Sequence, residues 1–214
     1  MTIDFPIVFD FDGTMIHSNE LKEVTYFDVV GDVSAEQIIS EIIEMGKVSY
    51  WDRYIILQKI SATLNLNYKN LVQNYNKLLQ SNLIKCEKRK GIDQFLLACT
   101  GLKVINSATP SAELKKSVKK IFSRQKFDLI VGDGAARKIK NLEFIIKKLS
   151  VAPDSIIVIG DGKDDYDSAL HFDCMFFGIS GGTLESSNLK LYDSYYDISR
   201  AFAAWSRGEI DEIP

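Results

Sequence analysis

At 214 residues the chain has room for one large domain, or a core domain with a smaller insert, and can bury a sizeable core without metal or disulfide staples. Its hydrophobic share of 46% and charged share of 26% are those of an ordinary soluble globule. A net charge of −3 excludes a general electrostatic attraction to nucleic acid or to an anionic membrane surface.

Taken in chain order, short apolar runs alternate with helical patterns. The runs are Ile7 to Phe11, Leu102 to Ile105, Leu129 to Val131, Ile156 to Ile159 and Met175 to Ile179. Each is brief and almost wholly apolar, as strands buried on both faces of a parallel sheet should be. Between them, Leu114, Val118, Ile121 and Phe122, and then Leu142, Ile145, Ile146 and Leu149, keep the spacing of one helix face. The alternation predicts a doubly wound, Rossmann-like α/β core. The segment from about Met15 to Arg89 departs from it. Its patterns are helical, as in Ile38, Ile42 and Met45, or Leu71, Tyr75, Leu78 and Leu79. It is too long for one crossover, so a separate all-helical unit over 16–89 is expected, with the core formed by 1–15 and 90–214. Trp205, Phe202 and Ile198 fit the apolar face of a C-terminal helix, and the Lys115-Lys116 and Lys119-Lys120 pairs a solvated helix face.

The three cysteines form no CxxC pair and there are two histidines, so a Cys/His zinc site is not expected. Cys99 and Cys174 read as core filler among apolar neighbours. Unpaired thiols favour a reducing compartment. No stretch approaches the ~20 apolar residues of a membrane span, and the opening residues lack the basic-then-apolar order of a signal peptide. The expectation is a cytoplasmic protein, monomer or homodimer, without membrane or nucleic-acid partners.

The most informative stretch is Phe9-Asp10-Phe11-Asp12-Gly13-Thr14. Two carboxylates close a buried strand, where α/β sheets place their ligand crevice, and they point the same way if the strand stays regular. Gly13 lets the chain turn. Carboxylates so close repel one another unless a cation compensates, and hard oxygen ligands suit Mg²⁺. A second strand, Ile156 to Ile159, runs into Gly160-Asp161-Gly162-Lys163-Asp164-Asp165, a second acidic strand end able to share one metal. A third strand delivers Ser107, followed by Ala108, Thr109 and Pro110 at a helix start, where free amides suit phosphate. Taken alone, Ser107 is equally a cap or turn residue. A lysine, Lys138 or Lys140, opens the helix that ends near Leu149.

In this order the four elements resemble the haloacid dehalogenase superfamily, in particular its phosphatase branch with a helical cap inserted after the first motif. Lys138 is preferred to Lys140 because relatives place this lysine in a K-x-x-x-L helix start, here with Leu142, twenty-three residues before Asp161. The resemblance implies that Asp10 is the nucleophile forming an aspartyl-phosphate, and that Asp12 is the general acid and base. It implies that Asp10, the backbone carbonyl of Asp12 and Asp161 hold Mg²⁺. Ser107 and Lys138 would bind phosphoryl oxygens, with amides near Gly13 and Ala108 assisting, and Asp165 would orient Lys138 or a metal-bound water. An acid at Asp12 fits transfer to water or to another hydroxyl and not dehalogenation, whose leaving group needs no proton.

In such relatives the insert selects the substrate. The stretch Gly46-Lys47-Val48-Ser49-Tyr50-Trp51-Asp52-Arg53-Tyr54 resembles part of the cap of phosphatases linked to bacterial surface-sugar pathways, although Tyr50 stands where those have arginine and Arg53 where they have lysine. Lys47 or Arg53 is therefore expected to meet an anionic or polyhydroxylated substrate. Trp51 is expected to pack between helices. The implied activity is Mg²⁺-dependent hydrolysis of a small phosphate monoester, with a sugar phosphate as one candidate. Two alternatives stand beside it: a phosphosugar mutase on the same core, and a catalytically silent metabolite-binding regulator.

Overall fold

The computed structural model describes residues 2–48, 52–132, 138–184 and 189–209. It divides into two compact units, 1–17 with 87–214, and 18–86. In the first unit six strands form one sheet: β1 (Ile7–Phe9), β2 (Lys103–Ser107), β3 (Leu129–Gly132), β4 (Ile157–Gly160), β5 (Met175–Ile179) and β6 (Leu191–Tyr192). Their order is β3-β2-β1-β4-β5-β6, and every neighbouring pair is parallel. The chain runs from β1 outward through β2 to β3, then returns to the other side of β1 as β4. A doubly wound sheet opens its ligand crevice beyond the strand ends at such a reversal. The α/β expectation is borne out; β6, of two residues, is too short to leave a sequence pattern.

The helices of this unit are α5 (Ile92–Ala98), α6 (Ser111–Ile121), α7 (Lys138–Leu149), α8 (Lys163–His171) and α9 (Tyr195–Ser206). Strand alternation decides which face meets which helix. Val8, Val104 and Val158 pack with Leu142, Ile145 and Ala169 of α7 and α8. On the other face Phe9 meets Phe95 and Tyr195, while Phe202 stacks on Phe177 at 4.9 Å. With both faces covered, the central strands have to be apolar throughout, and Ile7, Val8 and Phe9 are at most 1% exposed.

Among the described residues the second unit is helical: α1 (Asn19–Val30), α2 (Glu36–Val48), α3 (Arg53–Thr63) and α4 (Tyr68–Leu83), with a short 3-10 turn at Val33–Ala35. Side-chain caps define two starts, with Asp52 accepting from the amides of Tyr54 and Ile55, and Asn67 from that of Asn70. Tyr26 of α1 stacks on Tyr75 of α4 at 4.7 Å. The pattern in α2 is helical as expected, and packing selects its buried stripe. The stripe comprises Ile39, Ile42, Ile43 and Gly46, whereas Ile38 and Met45 are exposed. With so many apolar side chains in α2, two stripes satisfy helical periodicity, and the packing partners choose between them.

No helix among the described residues is long and apolar enough to cross a membrane.

Candidate active site

The site is assembled at the carboxyl ends of β1, β2 and β4. The ladder of β1 ends at Phe9, although the Asp10 amide still donates to the Ile159 carbonyl (2.8 Å). Beyond it the chain coils: Met15 N–H donates to Phe11 O and Gly13 N–H to Ile16 O, with Gly13 at φ 80°. Only glycine takes that conformation without a Cβ penalty. Because the strand stops before the acidic pair, the two carboxylates do not form a regular pair on one sheet face. Each has its own partner.

Asp10 faces Lys138. Lys138 Nζ donates to Oδ1 of Asp10 and to Oδ1 of Asp165, both at 2.5 Å. All three are buried. Lys138 is the first residue of α7, where the helix dipole disfavours a cation, so its place there is set by the carboxylates. Its backbone is held as well: Asn106 Nδ2 of β2 donates to the Lys138 carbonyl (3.3 Å), and Asn141 Nδ2 donates to Asn106 Oδ1 (3.0 Å). Lys140, the other candidate lysine, is exposed.

Asp12 turns to β2 instead, where Thr109 Oγ1 donates to its Oδ2 at 2.8 Å. Ser107, 1% exposed at the end of β2, accepts from the Thr109 amide (3.1 Å). Ala108 between them is half-buried. Asp161 follows β4 and accepts from Thr14 Oγ1 at 2.9 Å. Asp165, in the first turn of α8, accepts from the Gly162 amide (3.2 Å).

The electrostatics are those of a crowded acidic cluster. Carboxylate oxygens of Asp10, Asp161 and Asp165 lie within 4.8 Å of one another. The Asp10 carboxyl is raised to about 7, first by burial, with Lys138 pulling it down and Asp161 and Asp12 adding to the rise. Asp165 is likewise raised, by burial first, against the pull of Lys138. Lys138 is held well above its ordinary value, because the attraction of Asp10, Asp164 and Asp165 outweighs its own burial. One ammonium is thus shared by more negative charge than it neutralises. A buried set of hard oxygens with surplus negative charge fits a divalent cation such as Mg²⁺.

The other expected residues are placed as follows. The Gly13 amide is committed to Ile16, so Gly13 contributes a carbonyl to the site's support and not an open amide. Lys47 is engaged with Glu23 (2.8 Å) and Glu44 (2.9 Å). Arg53 donates to Asn76 (3.4 Å) and lies over the Tyr54 ring. Ser49, Tyr50 and Trp51, the middle of the expected selecting stretch, lie outside the described residues.

Sequence reasoning missed Thr14, Thr109, Asn106, Asn141 and Arg89. Thr14 carried a signal, since it belongs to the same short run as the two aspartates. The others are residue types that serve equally as caps, turn formers or surface groups, and nothing local marks them.

Comparisons with known proteins bear on the family and the fold. The family model described as haloacid dehalogenase-like hydrolase matches residues 7–179. No curated protein matches. Among solved structures, a predicted phosphoglycolate phosphatase from Haemophilus somnus 129PT superposes with a TM-score of 0.72 at 15% identity, covering 94% of this chain and 99% of that one. CbbY from Rhodobacter sphaeroides, in complex with phosphate, gives 0.66 at 17% identity, covering 92% and 96%. A haloacid dehalogenase-like family hydrolase from Streptococcus pneumoniae gives 0.65 at 18% identity, covering 93% and 98%. At these identities the likeness establishes the fold. The sequence match over most of its length establishes membership: the chain belongs to the haloacid dehalogenase-like hydrolase family.

Proposed function

We propose that the protein hydrolyses a small phosphate monoester through an aspartyl-phosphate on Asp10, with Mg²⁺ as its metal. The observation that carries this reading is that the two strand-end carboxylates have different partners. Asp10 is buried against Lys138, while Asp12 accepts a hydrogen bond from Thr109. Two carboxylates in different environments suit two roles, nucleophile and proton carrier.

Asp10, Asp161 and the backbone carbonyl of Asp12 would hold Mg²⁺, with Asp165 close enough to take part. The ion would supply positive charge against the phosphoryl oxygens. The chain's own groups supply the rest. The Asp10 carboxylate attacks phosphorus in line as the P–O bond to the leaving group breaks, and Asp12 gives its proton to that leaving oxygen. Asp12 then takes a proton from the water that attacks the aspartyl-phosphate, which frees Asp10 and releases phosphate. Lys138 and the Ser107 hydroxyl, with the Ala108 amide, cradle the transferring oxygens. Asp165 and the Asn106–Asn141 pair keep Lys138 in place. The helical unit would act as the cap, with a sugar phosphate as the expected substrate type.

The test is phosphate release, with and without Mg²⁺, across sugar phosphates, nucleotides and other phosphorylated metabolites, with Asp10→Asn as control. Mg²⁺-dependent release lost in the control supports the reading. Absence of any release by folded wild-type protein sinks it.

A further inference from the structure

Arg89 is, with Lys138, one of two buried cations among the described residues, at 7% exposure. Its charge is attracted by Asp161, but the hydrogen bonds of its guanidinium go to backbone carbonyls. The Nε–Nη2 edge of its guanidinium bridges two backbone carbonyls, with Nε donating to Gly13 O (2.8 Å) and Nη2 to Ser180 O (2.6 Å). Its own backbone is fixed in the same place, since the Arg89 amide donates to Met15 O (3.0 Å) and Lys88 bridges Ile16 in antiparallel fashion.

Both carbonyls lead to Asp161. From Gly13 the next residue is Thr14, whose hydroxyl holds Asp161 Oδ1 at 2.9 Å. From Ser180 the chain passes through Gly181 to Gly182, which packs so tightly that a Cβ there would lie 2.2 Å from Asp161 O and 2.4 Å from Asp161 Oδ2. Two residues further on, the Leu184 amide donates to Asp161 O at 3.3 Å. The segments that grip Asp161 from two sides are therefore tied together by one side chain. Such a bridge needs two donors in a rigid fork, which arginine has and lysine lacks.

We infer that Arg89 is a positioning residue that sets the placement of Asp161 and thereby the affinity of the acidic cluster for a divalent cation. It acts through the two loops it bridges, with its charge also attracting Asp161. The inference rests on the metal site of the proposed phosphatase, and its consequence is measured by metal binding as well as by turnover.

The experiment is calorimetric titration of Mg²⁺ alone into wild type, Arg89→Met, Arg89→Lys and Gly182→Ala, with folding of each verified by circular dichroism. The Mg²⁺ concentration for half-maximal phosphate release is measured alongside. Arg89→Met is expected to weaken Mg²⁺ binding about tenfold, in the range lost when groups supporting metal ligands are removed. The half-saturating Mg²⁺ should rise in step, while KM for substrate at saturating Mg²⁺ stays within about twofold. Arg89→Lys, which keeps the charge but not the fork, is expected to remain impaired. Gly182→Ala disturbs Asp161 from the other side without removing Arg89, and it should weaken Mg²⁺ to a similar degree. It also carries the test if Arg89→Met does not fold. Wild-type Mg²⁺ affinity in a folded Arg89→Met, or full recovery with Arg89→Lys, overturns the inference. If wild type binds Mg²⁺ and releases phosphate while the variants match it, this inference alone fails. If wild type binds no Mg²⁺, the metal-dependent reading fails with it.

Discussion

Lys138 Nζ lies 2.5 Å from Asp10 Oδ1, with both side chains 5% exposed, although the two residues are 128 positions apart. The pair joins the end of β1 to the start of α7, and Asp165 shares the same ammonium. Removing one member leaves uncompensated buried charge, whose cost exceeds the net value of the intact pair. Lys138→Met is expected to lower metal-free stability by about 3 kcal/mol in urea unfolding. Phosphate release should fall by roughly 10² to 10³. Near-native turnover in a folded Lys138→Met protein would remove Lys138 from the phosphate cradle.

Asp10 carries the opposite imbalance. Its carboxyl is raised from 3.8 to about 7, chiefly by burial, so the folded metal-free protein binds this proton more tightly than the unfolded chain. The resulting stabilisation is complete below about pH 4 and is lost as pH rises through about 7. Metal-free wild type should therefore lose thermal stability from pH 5 to pH 8, and Asp10→Asn should flatten the trend and melt higher at pH 8. Mg²⁺ should reverse the wild-type trend, since it competes with the proton. Melting curves at the two pH values, with and without Mg²⁺, check this. A destabilised Asp10→Asn at pH 8 contradicts it.

Thr109 holds Asp12 by a buried hydrogen bond of 2.8 Å. Thr109→Val keeps the shape and removes the donor. Turnover should drop about tenfold with KM within about twofold, because a misplaced proton carrier affects the chemical step more than binding. The stability cost should be about 1 kcal/mol. Steady-state kinetics and urea unfolding of the one variant read both numbers.

Tyr195 presents the reverse case. It is fully buried among Phe9 and Phe95, and its hydroxyl has no hydrogen-bond partner among the described residues. An orphaned buried hydroxyl costs roughly 1–3 kcal/mol, so Tyr195→Phe should preserve the ring packing and raise stability by about 1 kcal/mol. A loss of stability on this change would show that the hydroxyl is satisfied by an ordered water.

The sequence by itself determined the sheet and the acidic strand ends. Runs such as Ile156 to Ile159 are short and apolar because both sheet faces are covered, and that constraint is written residue by residue. Asp10, Asp12, Asp161 and Asp165 follow such strands at short spacing, so the shape of their crevice is local information. The residues alone left Lys138 and Lys140 open, the family resemblance favoured Lys138, and burial separates it from exposed Lys140. Tertiary structure decided how these groups are held. Arg89 reaches carbonyls seventy-six and ninety-one positions away, and Thr109 meets Asp12 across ninety-seven. Threonine, asparagine and arginine have many uses, and only the folded chain selects one. The buried stripe of α2 shows the same division. Helical periodicity allowed Ile38 and Met45 as readily as Ile39 and Gly46, and the choice came from packing, which no window of sequence contains.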